Sequence, residues 1–213
     1  MFPCNFRVIF AKMNRYNEII EGALQLFLQK GIRRINMDEV SSHLGISKKT
    51  LYLYVENKGD LLEKCFKLYQ SRILDFINAI QEKNQNPIDE LFEIDEQVGQ
   101  MLQNRPEMLV HDLKKYHPSV WEILEVVKKE HVLNCVTQNI ERGKKLGLYR
   151  TSVNSDIIAK LMLNTSDALI DDQLFPLNQY DFESLLKENR IYHIRGIATN
   201  KGVNYLEEKL NHE

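Results

Sequence analysis

Residues 36–55 constrain this chain more than any other stretch. Asn36 precedes Met37-Asp38-Glu39, an Asx N-cap with a glutamate at N3, and Val40 and Leu44 mark the buried side of a short helix that stops at Gly45. Ile46 enters a tight turn, Ser47 caps again, and Lys48 to Val55 reads as another helix with Leu51 and Val55 turned inward. Two short helices across a three-residue turn must cross at a steep angle and cannot bury themselves alone. They need a third helix and a shared core.

The flanking sequence supplies both. Between Arg15 and Lys30 the residues Ile20, Ala23, Leu24 and Phe27 repeat at helical spacing and stop at Gly31. Asn57 caps a fourth helix with Asp60 at N3, and its stripe runs Leu62, Phe66, Tyr69, Ile73, Phe76, Ile80. About 25 residues of helix span roughly 38 Å, enough to join two domains. Downstream, Pro87 opens a helix carrying Leu91, Ile94, Val98 and Met101, Pro106 opens another, and Pro118 opens a long one that ends near Lys145 at Gly147. Asn154 caps the next, with Ile157, Ile158, Leu161, Met162 and Leu169 apolar, and a last helical region follows Pro176. No repeat or strand-like alternation interrupts this. The expected fold is all-α, with an N-terminal three-helix domain over 13–73 and a larger helical domain over 74–213.

The net charge of −2 conceals an asymmetry. Residues 1–58 hold nine Lys/Arg and five acids, a balance of +4, which leaves 19 bases and 25 acids, or −6, for the remaining 155 residues. A basic front on an acidic body implies that only the front meets a polyanion. Cys4, Cys65 and Cys135 are odd in number, far apart and without metal spacing, which fits a reduced, cytoplasmic setting and no metal. The apolar stretch 1–12 is too short to span a bilayer and lacks a small-residue cleavage site. It reads either as an extension upstream of the natural start or as a short ordered arm.

With Leu51 and Val55 inward, the helix after the turn exposes Lys48, Lys49, Thr50, Tyr52, Leu53 and Tyr54. Lysines suit guanine edges or phosphates, hydroxyls suit phosphate oxygens, and Leu53 suits a thymine methyl. A helix so furnished beside a short turn fits the major groove of duplex DNA.

The stretch from Met13 to Ile73 resembles the DNA-binding domain of the tetracycline-repressor (TetR) family. Phe27 and Gly31, Asp38-Glu39-Val40, the run Gly45 to Val55, Asn57-Lys58 and Leu61-Leu62 carry the resemblance. It implies that Lys48, Lys49, Thr50, Tyr52, Leu53 and Tyr54 contact the operator and that Asn36 and Lys58 grip phosphate. Met37 and Ser41-Ser42 depart from the family's frequent residues. Gly147-Leu148-Tyr149-Arg150 and Arg195 to Thr199 resemble later parts of such regulators. By that resemblance the last two long helices pair in a homodimer and the middle helices enclose an effector pocket. Met101, Met108, Tyr116 and Trp121 are the pocket candidates, for a small apolar effector.

No nucleophile with its base, paired carboxylates, phosphate loop or metal set is present in the sequence, so neither an enzyme nor a cofactor is expected. A helical protein-interaction adaptor could use the same apolar helices but leaves the Lys/Thr/Tyr face unexplained. The expectation is a dimeric regulator binding a palindromic operator, a repressor rather than an activator, with no membrane partner.

Overall fold

The computed structural model describes residues 4–102, 105–106 and 108–212. The fold is all-α. Its helices are α1 (Cys4–Lys30), α2 (Met37–His43), α3 (Lys48–Leu51), α4 (Lys58–Lys83), α5 (Pro87–Leu102), α6 (Leu109–Tyr116), α7 (Pro118–Val127), α8 (Leu133–Lys145), α9 (Ser155–Leu169), α10 (Phe182–Ile197) and α11 (Asn200–Leu210). Among the described residues the only strand-like pairing given is an isolated bridge between Tyr149 and Ala198.

The chain divides into two compact units. One comprises Met1–Ile73 with Met108–Glu125, the other Leu74–Glu107 with Val126–Glu213. The sequence reading gave everything after residue 73 to the second domain. The structure places α6 and most of α7 in the first unit, because Leu109, Leu113 and Val120 are buried in the same core as Leu24, Phe27, Val40, Leu51, Leu62 and Phe66. Removing these apolar side chains from water is the main force holding the first unit together.

Three element boundaries differ from expectation. The first helix begins at Cys4 instead of Arg15, since no proline interrupts the chain from there to Lys30. The helix opened by Pro118 carries a π-helical turn at Lys128–Val132. The extra residue in that turn rotates the buried face, so Val120 and Val127 precede it and Val136 and Ile140 follow it on a new register. The region after Pro176 forms two helices, parted at Ala198-Thr199, where Thr199 caps α11.

In the second unit Ile88, Leu91, Val136, Ile140, Tyr149, Ala159, Ile194 and Leu206 form the larger core. Gly143 admits the Tyr149 ring, for a Cβ there would lie 2.0 Å from it. Glu90 is wholly buried in this unit and accepts a 2.9 Å hydrogen bond from Asn139 Nδ2, with Arg142 on its other oxygen.

Candidate nucleic-acid interface

The capping signals in the sequence fold as hydrogen bonds. Asn36 Oδ1 accepts from the amides of Asp38 and Glu39, and the Asn36 amide donates 2.7 Å to Glu39 Oε2, a complete capping box. Gly45 turns at φ +61°, a left-handed conformation that a side chain would disfavour. Ser47 then caps α3 through the Thr50 amide at 3.0 Å, and its hydroxyl pairs with that of Thr50 at 2.8 Å. Leu51 and Val55 are fully buried, which fixes which side of this segment faces out.

The α-helical part is shorter than the sequence suggested. It ends at Leu51, and Leu53 and Tyr54 continue in tighter turns, their amides bonding the carbonyls of Thr50 and Leu51. That tightening changes the outward set. Lys48 and Lys49 are exposed, Tyr52 is 44% exposed and Leu53 69%. Thr50 is half-buried with its hydroxyl engaged, and Tyr54 is half-buried against the core. The freely presented groups are therefore Lys48, Lys49, Tyr52 and Leu53.

Three candidates have intramolecular partners. Lys48 Nζ pairs with Asp38 at 2.9 Å across the turn, and that hydrogen bond raises the lysine's pKa. Asn36 uses its carbonyl oxygen in the cap. Lys58 Nζ donates 2.6 Å to the Ile32 carbonyl, and burial lowers its pKa against the opposing pull of Glu39 and Asp112. Burial, and next the Lys58 charge, likewise lowers the pKa of His117.

The four pocket candidates do not share one unit. Met101 is exposed on α5 of the second unit, whereas Met108, Tyr116 and Trp121 belong to the first. Tyr116 is exposed with the Arg33 guanidinium 5.4 Å from its ring centre, and Trp121 packs on the first core with Lys114 Nζ 4.8 Å from its ring. The sequence reading also passed over Arg34, exposed on the α1–α2 turn, and Asp38 as the partner of Lys48. Their charges beside a capped turn were the available signal. No helix among the described residues is long and apolar enough to cross a membrane, and no His/Cys/Asp/Glu cluster among them fits a metal ion.

Residues 19–65, which hold this motif, match the family described as bacterial regulatory proteins, tetR family. The chain belongs to that family. This tetR-family transcriptional regulator, with its DNA-binding helix-turn-helix, is 25% identical over 168 residues to the HTH-type transcriptional regulator YvaF of Bacillus subtilis, covering 75% of this chain and 82% of YvaF. Its fold is similar to that of a transcriptional regulator from Saccharomonospora viridis solved in complex with choline, with a TM-score of 0.72 and 16% identity over 88% of this chain and 100% of the other. The FadR regulator of Bacillus subtilis, solved in complex with stearoyl-CoA, gives a TM-score of 0.65 at 17% identity over 85% of this chain and 99% of FadR.

Proposed function

We propose that this tetR-family regulator is a repressor that binds a palindromic operator as a homodimer and leaves it when a small, mostly apolar effector binds. The observation that carries the operator reading is α3 and its following turn. Lys48, Lys49, Tyr52 and Leu53 stand clear of the fold there, and Leu53 has no packing role to account for it. Thr50, Tyr54, Asn36 and Lys58 complete the proposed contact surface, their backbone and remaining donors serving phosphates more than bases.

The homodimer is supported by exposed Ile157 and Leu161 on α9 and Tyr192 on α10, apolar groups on two adjacent helices of the second unit. One helix-turn-helix covers too little DNA for tight, specific binding, and two related by a two-fold axis read half-sites about 34–36 Å apart.

Effector release is supported by the packing of α6 and α7. Leu109, Leu113 and Val120 are part of the DNA-binding core, so a ligand touching Met108, Tyr116 or Trp121 acts on that core directly. Met101 is the proposed contact from α5. Two proteins of similar fold were solved with small ligands, choline and stearoyl-CoA. By linkage, an effector that weakens operator binding is itself bound more weakly on DNA by the same factor.

Selection of bound duplexes from a random pool tests the reading. A two-fold-symmetric site occupied by two chains, with affinity falling steeply with salt, is the expected result. Recovery of no enriched sequence would count against it.

A further inference from the structure

An open groove of about 940 Å³ runs along α5 in the second unit, walled by α10 and the end of α11. Five carboxylates line it, Asp89, Glu93, Asp95, Glu96 and Glu183, against the bases Lys187, Arg190 and Lys209. Asp89, Glu93 and Glu96 follow at i, i+4 and i+7, a single stripe of α5 extending roughly 10 Å along its axis. The stripe is linear, and its charges are spaced rather than clustered at a point.

The chain's own side chains indicate what such a stripe accepts. Lys209 Nζ lies 2.7 Å from Asp89 and 4.8 Å from the centre of the Phe92 ring. Lys83 Nζ pairs with Glu93, which also accepts from Gln85 at 2.7 Å. Both occupants are primary ammonium groups on flexible stems, partly open to water, and ion pairs of that kind contribute little. Arg190 differs. It is buried, with its guanidinium 3.6 Å over Phe92 and 3.4 Å from Asp95, and so forms part of the wall. Burial raises the Asp95 pKa to about 7, against the pull of Arg190, which leaves the exposed α5 carboxylates as the attracting charges.

We propose that this groove binds a linear aliphatic polyamine, whose ammonium groups replace Lys209 and Lys83 on the α5 carboxylates while its methylene spacers lie against Phe92 and Leu186. Several linked ammonium groups outcompete two independent lysines because each contact raises the effective concentration for the next. A divalent cation has no apolar spacer to place on Phe92 and cannot span separated carboxylates. The site lies wholly within the second unit, and its occupancy is read without DNA, so its failure leaves the regulator reading untouched.

The test is calorimetric titration of the full chain, free of DNA and at low salt, with spermidine, with propylamine and with magnesium chloride. One spermidine per chain is expected, at least tenfold tighter than either control. The double substitution Glu96→Gln and Glu183→Gln, both at exposed positions, should weaken spermidine at least tenfold with an unchanged melting temperature. Lys209→Ala should tighten it by removing the tethered competitor, and that variant decides the matter if the double variant melts early. No spermidine binding at millimolar concentration, equal binding of magnesium, or unchanged or weaker binding by the Lys209 variant would each overturn the proposal.

Discussion

The ammonium of Lys58, the first residue of α4, donates to the carbonyl of Ile32 in the α1–α2 turn at 2.6 Å. It thereby joins the start of one helix to the end of another beneath the helix-turn-helix. Replacing Lys58 with methionine keeps the stem and removes the donor, leaving a partly buried carbonyl unpaired at a cost of about 1–3 kcal/mol. Urea unfolding should register that loss of stability in the free protein. A midpoint equal to wild type would show that the lysine serves only phosphate.

Tyr52 and Leu53 are exposed, so their removal should leave the fold intact. Tyr52→Ala and Leu53→Ala should each weaken the selected operator by about 1–3 kcal/mol if their contacts reach bases. Binding to a scrambled duplex should hardly change for Leu53→Ala, which removes no charge or hydrogen-bond donor. Fluorescence anisotropy on the two duplexes measures both. Equal losses on both duplexes would place Leu53 outside the base-reading surface.

The helix-turn-helix was legible because its information is local. Asn36 and Glu39 cap each other, and Ser47 caps within three residues, so sequence spacing reports the hydrogen bonds directly. What stayed hidden depends on long-range partners. Glu90, between Ile88 and Leu91, reads as part of an exposed helix face, yet it is buried because Asn139 and Arg142, some fifty residues on, satisfy its charge. Likewise Pro118 and Gly147 bracket a helix plainly, but nothing between them announces the π turn at Lys128–Val132. The placing of Tyr116 and Trp121 with the first unit follows from Leu109, Leu113 and Val120, whose spacing says that they are buried without saying against what.

His193 on α10 offers a pH test. Burial lowers its pKa to about 4 from the ordinary 6.5, so below pH 6.5 the unfolded chain takes up a proton that the folded chain refuses. This contribution removes stability as pH falls through that window. Asp95 acts oppositely, since burial raises its pKa to about 7 and the folded chain takes up the proton first. The wild-type curve alone mixes the two, and the comparison with His193→Gln separates them. The stability difference, wild type minus variant, should fall by roughly 1.4 kcal/mol at most for each unit of acidification between about pH 6.5 and 4. Parallel curves from chemical denaturation at each pH would rule this out.

Dimerisation gives the sharpest separation of folding from function, and Leu161 is the residue to change. It is 58% exposed and one helical turn after Ile157, itself 54% exposed, so the two form an apolar ridge on α9. Tyr192, 79% exposed on α10, extends the apolar surface of the same unit. Leu185 would be a poorer probe, because it packs against the buried cluster of Leu169, Phe182 and Leu186, where a charge would disturb the fold itself. Leucine and glutamate both favour helix, so Leu161→Glu should leave the isolated chain's helical signal unchanged. In a two-fold interface the substitution occurs twice, placing two carboxylates in a desolvated patch where unpaired charge is costly. Light scattering should therefore find dimers for the wild type at micromolar concentration and monomers for Leu161→Glu. Operator binding should fall in the same variant, because each half-site alone is held too weakly. A wild-type chain that is monomeric under those conditions would remove the dimer, and a monomeric variant that still binds the full operator with wild-type affinity would separate dimerisation from recognition.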